Sequence, residues 1–114
     1  MKNEDRIKEI WFADEKIKQS YEALKSGKYE DQELYRFINR AIDDLTQDPF
    51  CGIQIPKKLI PKTYKDKYGT DNLWKYNLPN AWRLIYFIKG DSVKIVSIIL
   101  EWFDHKEYER RFNY

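Results

Sequence analysis

The chain holds one cysteine, Cys51, and one histidine, His105. A single thiol cannot close an internal disulfide, and one thiol with one imidazole falls short of a zinc ligand set. Any mechanism that needs two imidazoles is excluded as well. The longest apolar or near-apolar run is the six residues from Ile95 to Leu100, against the about 20 that a membrane helix requires. The opening Met-Lys-Asn-Glu-Asp-Arg mixes charge and leads into no apolar stretch, so a signal peptide is not expected. A phosphate loop, a nucleotide-binding glycine motif and Gly-x-Ser-x-Gly are missing too. There is no internal repeat and no low-complexity tract. These absences point to a cytoplasmic protein with no membrane segment, metal or cofactor.

What is present is a core. The 114 residues match one domain, expected to span 1–114, and 42% of them are apolar. Nine Tyr, six Phe and four Trp are far more than a disordered chain would carry. The net charge of +2 is unevenly spread. Residues 1–50 are net negative by three, residues 51–76 net positive by four and residues 77–114 net positive by one. A positive block inside a balanced chain fits a local anionic partner or a solvated lysine-rich loop.

The pattern reads as an α+β fold: an N-terminal strand, a two-helix hairpin packed on a small, curved, mainly antiparallel sheet, and a short C-terminal helix. Residues 7–12 are rich in β-formers and predict a strand. Asp14 is a plausible N-cap for a helix carrying Ile17, Tyr21 and Leu24, closed by Gly27. A second helix is expected from near Asp31, because Leu34, Phe37, Ile38, Ala41, Ile42 and Leu45 repeat at helical spacing; Pro49 ends it. Pro56 and Pro61 limit residues 51–72 to a short edge strand and loop. Three strands then form a meander, at 73–78, 82–89 and 93–101, with turns at Pro79-Asn80 and Gly90-Asp91. Asp104 with Glu107 reads as a capping box for a last helix, whose His105, Tyr108 and Phe112 share a face.

Arg83 is the most informative polar residue. It sits in an apolar strand, and a half-buried guanidinium must be paired or must face a ligand. The pairing reading offers Asp43 or Asp44 on the second helix. Taken singly, His105 could be an exposed helix-start residue, Tyr108 and Phe112 core, and Arg110 and Arg111 complements of the helix dipole. Cys51 reads as ordinary packing.

The ordered set from Asn72 to Ile88 (Asn-Leu-Trp-Lys-Tyr-Asn-Leu-Pro-Asn-Ala-Trp-Arg-Leu-Ile-Tyr-Phe-Ile), then Ile95 to Leu100, then Asp104-His-Lys-Glu-Tyr, resembles the RelE/ParE toxin superfamily. In that superfamily a strand bearing Tyr/Trp-Arg-Leu-x-Tyr leads by a hairpin into an apolar strand and a terminal segment with His or Tyr. The resemblance implies the toxin of a type II toxin–antitoxin module, a RelE-like mRNA interferase that cleaves message on the ribosome without metal and inhibits translation. Its partners would be a cognate antitoxin, the ribosome and mRNA. The implied catalytic residues are Arg83, His105, Tyr108 and Lys75, with Arg83 opposing phosphorane charge and Tyr108 stacking on a base. His105, Lys75 or an acid such as Glu101 could be the general base. Lys57, Lys58, Lys62, Lys65 and Arg111 would hold RNA phosphates. The terminal segment departs from a contiguous His-Tyr pair, since Lys106 and Glu107 intervene. Two other readings share the scaffold: a ParE-like, non-nucleolytic inhibitor of gyrase, and an inactive member that only binds its antitoxin.

Overall fold

In the computed structural model, which describes residues 5–112, the N-terminal strand β1 spans Ile7–Phe12 as the β-formers predict. Helix α1 (Glu15–Leu24) starts where Asp14 Oδ1 accepts from the Ile17 amide at 2.8 Å. It stops at Leu24, short of the expected glycine; Gly27 lies in the link to α2 (Tyr29–Gln47). Helix α2 begins slightly earlier than predicted, because Asp31 accepts from the Lys28 amide and satisfies one of its orphan donors. Pro49 follows the last turn, as expected.

Residues 51–72 are more ordered than a lysine-rich loop. A two-residue strand β2 (Ile53–Gln54) does lie at the edge, but a 3-10 turn at Lys57–Leu59 and a helix α3 (Lys62–Tyr68) follow. Each proline sits just before one of these turns, where its fixed φ helps and its missing N–H costs nothing. Gly69 closes α3 at φ 71°, a left-handed conformation that glycine adopts without strain.

Strands β3 (Leu73–Leu78), β4 (Trp82–Gly90) and β5 (Lys94–Asp104) form the meander. Strand β5 runs three residues past the expected end, because Leu84, Arg83 and Trp82 of β4 pair with Trp102, Phe103 and Asp104. The five-stranded sheet has the order β1-β5-β4-β3-β2, and β1 joins β5 in parallel while the other pairs are antiparallel. The β3–β4 turn holds Asn80 and Ala81 at φ 60° and 63°; for Ala81 this is strained backbone directly before Trp82 and Arg83.

Strand alternation divides the side chains between two cores. Leu78, Leu84, Tyr86 and Ile99 meet Leu34, Ile38, Ala41 and Leu45 of α2 on one face. Leu73, Ile85, Phe87, Ile98 and Phe103 meet Tyr64 of α3 and Tyr108 and Phe112 of α4 (His105–Phe112) on the other. Full burial of an Ile or Leu side chain contributes about 1.5–3 kcal/mol, so both faces stabilise the sheet. The helical pair covers only one of them. The α3/α4 face, which also carries Arg83, is the second layer that the sequence pattern did not reveal. No helix among the described residues is long and apolar enough to cross a membrane.

Candidate functional site

Arg83 points away from α2, so it forms no pair with Asp43 or Asp44. Asp44 instead accepts a hydrogen bond from Tyr76 on the opposite face; burial first, and then this bond, pushes that phenol up to about 12. On its own face the Arg83 guanidinium meets the only imidazole in the chain, with Nη2 3.1 Å from His105 Nδ1. Nη1 donates to the Trp82 carbonyl at 3.1 Å, and the buried Nε has no hydrogen-bond partner. No carboxylate pairs with Arg83 among the described residues. The cation is therefore held by neutral groups and keeps its charge for an anion.

His105 is the first residue of α4, placed beside Arg83 by the β4–β5 pairing that carries Phe103 and Asp104 alongside Arg83 and Trp82. Asp104 caps the helix by accepting from the Glu107 amide at 2.9 Å. The capping box is only half formed: the Glu107 carboxylate turns away and bonds Arg110 and Arg111, which hold it down at about 2. Because a guanidinium only donates, Nδ1 of His105 must accept, and the ring proton belongs on Nε2; its partners assign this tautomer. Nε2 lies 3.3 Å from Glu109 Oε2. Glu109 was missed by sequence reasoning, although its i, i+4 spacing from His105 was there to be read.

Lys75 shares this face. Its cross-strand partner is Ile85, which makes it a diagonal neighbour of Arg83 at a typical separation of about 7–8 Å, with the Cβ atoms somewhat closer. Its Nζ lies 4.5 Å from the centroid of the Tyr108 ring. Tyr108 itself is 1% exposed and packs against Phe112 and Phe103. The stacking role expected of it does not fit: an enclosed ring offers no face to a base. Arg83, His105, Lys75 and Tyr108 are thus brought together as two contacting pairs, Arg83 with His105 and Lys75 with Tyr108.

The remaining predicted residues lie elsewhere. Lys57, Lys58, Lys62 and Lys65 are exposed along the 3-10 turn and α3, and the Lys57–Asp71 contact at 3.9 Å is a weak surface pair. Arg111, expected to hold phosphate, is engaged inside the protein: Nη1 bonds Glu101 at 2.7 Å and Nε bonds Glu107 at 2.6 Å, over the Phe103 ring. Burial opposes its charge, but Glu107, Tyr64 and Glu101 outweigh that and raise its pKa. Glu101 accepts from Tyr64 through its other oxygen, so it is committed to this clamp and is not a free base. Burial first, and then Glu101, pushes the Tyr64 phenol up. The clamp ties α3, β5 and α4 together and borders a cavity of about 470 Å³ that neither Arg83 nor His105 lines.

This arrangement can bind an anion at Arg83 and exchange a proton at the adjacent imidazole. Comparison with known families agrees with the fold that carries it. The model of the YoeB-like toxins of bacterial type II toxin-antitoxin systems matches residues 17–101, about three quarters of the chain. The chain belongs to this family. YoeB-like toxins are RelE/ParE-type, and a type II system implies a cognate antitoxin as partner. The matched span includes Lys75 and Arg83 and stops before His105 and Tyr108, so the terminal helix enters the site through geometry alone. Among curated proteins and solved structures, none matches.

Proposed function

We propose that this YoeB-like toxin is a ribosome-dependent mRNA endonuclease whose chemistry is done by side chains, without metal, and which inhibits translation in the cytoplasm. The observation that carries the reading is Arg83, which has no carboxylate partner among the described residues, in direct contact with the only histidine. In the reaction, Arg83 turns from His105 to the non-bridging phosphate oxygens and offsets their growing charge. Nδ1 of His105, released by that movement, takes the proton as the ribose 2′ O–H bond breaks. The O2′–P bond forms, the P–O5′ bond breaks, and solvent water protonates the leaving oxygen. Lys75 adds a second positive charge on the same face. Tyr108 and Arg111 act as supports, one packing beneath Lys75 and the other fixing α4 to α3 and β5. Lys57, Lys58, Lys62 and Lys65 hold phosphates of message or ribosomal RNA, fixing position without reading sequence.

Programmed ribosomes test the proposal. Message cleavage should survive chelators and fall by about 10²–10³-fold in Arg83→Ala, the usual cost of losing a donor to transition-state charge. Cleavage unchanged by Arg83→Ala overturns the mechanism. Intact message together with inhibited gyrase supercoiling overturns it in favour of the ParE-like reading.

A further inference from the structure

The two ring nitrogens of His105 face opposite kinds of group. Nδ1 meets the Arg83 guanidinium at 3.1 Å, and Nε2 meets the Glu109 carboxylate at 3.3 Å. The bland reading of His105 and Glu109 is an i, i+4 surface pair of small value. It does not account for the ring being held from both ends, with the guanidinium on one nitrogen and the carboxylate on the other. A base flanked by a charged orienter on its far nitrogen is the general arrangement by which proteins fix an imidazole tautomer and stabilise the imidazolium that forms.

We infer that Glu109 is the positioning residue for His105: it holds the ring proton on Nε2, leaves Nδ1 to receive the substrate proton, and stabilises the resulting imidazolium. The inference rests on the nuclease reading for its use in catalysis, but the Glu109–His105 coupling exists with or without RNA. Each element around the ring carries a charged group. Arg83 from β4 sets its positive charge against Nδ1, and Glu109 from α4 sets its negative charge against Nε2. Lys75 from β3 lies over Tyr108, one turn along. Asp104, at the end of β5, is engaged by the Glu107 amide. Glu109 is about half exposed, so its replacement removes the partner without opening the core.

Because the chain has one histidine, ¹⁵N resonances of the imidazole report this residue alone. Wild type should show a protonated Nε2 and an unprotonated Nδ1. Glu109→Gln keeps an acceptor for Nε2–H but loses the charge, so the tautomer should persist while proton affinity falls about two- to fivefold, the range of half-exposed ion pairs. Glu109→Ala should lose both and give mixed tautomers. Single-turnover cleavage on programmed ribosomes should slow several-fold in both variants, the midpoint of its pH profile moving with the NMR titration and KM unchanged. Identical tautomer and titration in all three proteins overturn the coupling. Altered NMR with unaltered cleavage rate and pH profile overturns its part in the reaction. A wild type that cleaves no message sinks the nuclease reading instead, while the NMR result still decides the coupling.

Discussion

Tyr86→Phe removes one oxygen from the middle of the sheet and should cost far more than a surface hydroxyl. Tyr86 is fully buried; its hydroxyl donates to the Pro49 carbonyl at 2.9 Å and accepts from the Gly52 amide at 3.2 Å. That one group satisfies two backbone groups in the turn from α2 to β2. The turn is built tightly around it, since a Cβ at Gly52 would lie 2.4 Å from the hydroxyl and 2.6 Å from the Lys75 carbonyl. Phenylalanine fills the ring's space and leaves no large cavity, so the loss is polar. Stranding one buried backbone group costs about 1–3 kcal/mol, and since the Gly52 amide is only part-buried the expected loss is about 2 kcal/mol. With about 2.1 cal/mol/K of unfolding entropy per residue, 2 kcal/mol in a chain of this length lowers Tm by about 8 °C. Urea unfolding and thermal scans at neutral pH, with Tyr76→Phe as the control for a more exposed hydroxyl, give both numbers. A loss below about 0.5 kcal/mol for Tyr86→Phe, or one no larger than the control's, would refute the claim that this hydroxyl fastens the turn.

Ile38→Ala, at a fully buried α2 position facing Leu84 and Tyr86, should lose about 2–5 kcal/mol in the same urea assay, and a smaller loss would mean the helix layer is loosely packed. Glu107→Gln tests the α4 clamp by pH. The carboxyl of Glu107 falls from its ordinary 4.5 to about 2 in the folded chain, by hydrogen bonds from Arg110 and then Arg111. A depressed folded value means the stabilisation is complete above pH 4.5 and lost as pH falls toward 2, so the Tm gap between wild type and Glu107→Gln should close across that window. A gap independent of pH would show that the carboxylate's charge is not what fastens the helix.

Local chemistry and period made much of the fold readable. The β-formers of residues 7–12, the Asp14 and Asp104 caps and the α2 stripe each formed the element they predict. Alternation put Arg83 on the face of Ile85 and Phe87, opposite Leu84 and Tyr86, as in the structure. Helix α3 was hidden because lysines and prolines dominate its segment, leaving only Tyr64 and Tyr68 at i, i+4 to mark its inner side. The parallel β1–β5 pairing joins residues far apart in sequence and has no local signature. At the site, strand alternation gave the side on which Arg83 lies, but not its partner. The choice between a carboxylate on α2 and the imidazole on α4 depends on which helix covers which face. The Arg111–Glu101 pair is hidden for the same reason: each is charged, and only the three-dimensional packing brings the two together.

The central claim is that Arg83 and His105 act on RNA as one unit, and a double-mutant cycle in single-turnover cleavage of ribosome-bound message measures it. Arg83→Ala, His105→Gln and the double variant should all fall to nearly the same residual rate, because groups that work together are lost together. A double variant whose loss is the product of the two single losses, or a His105→Gln protein that cleaves like wild type, would contradict the account.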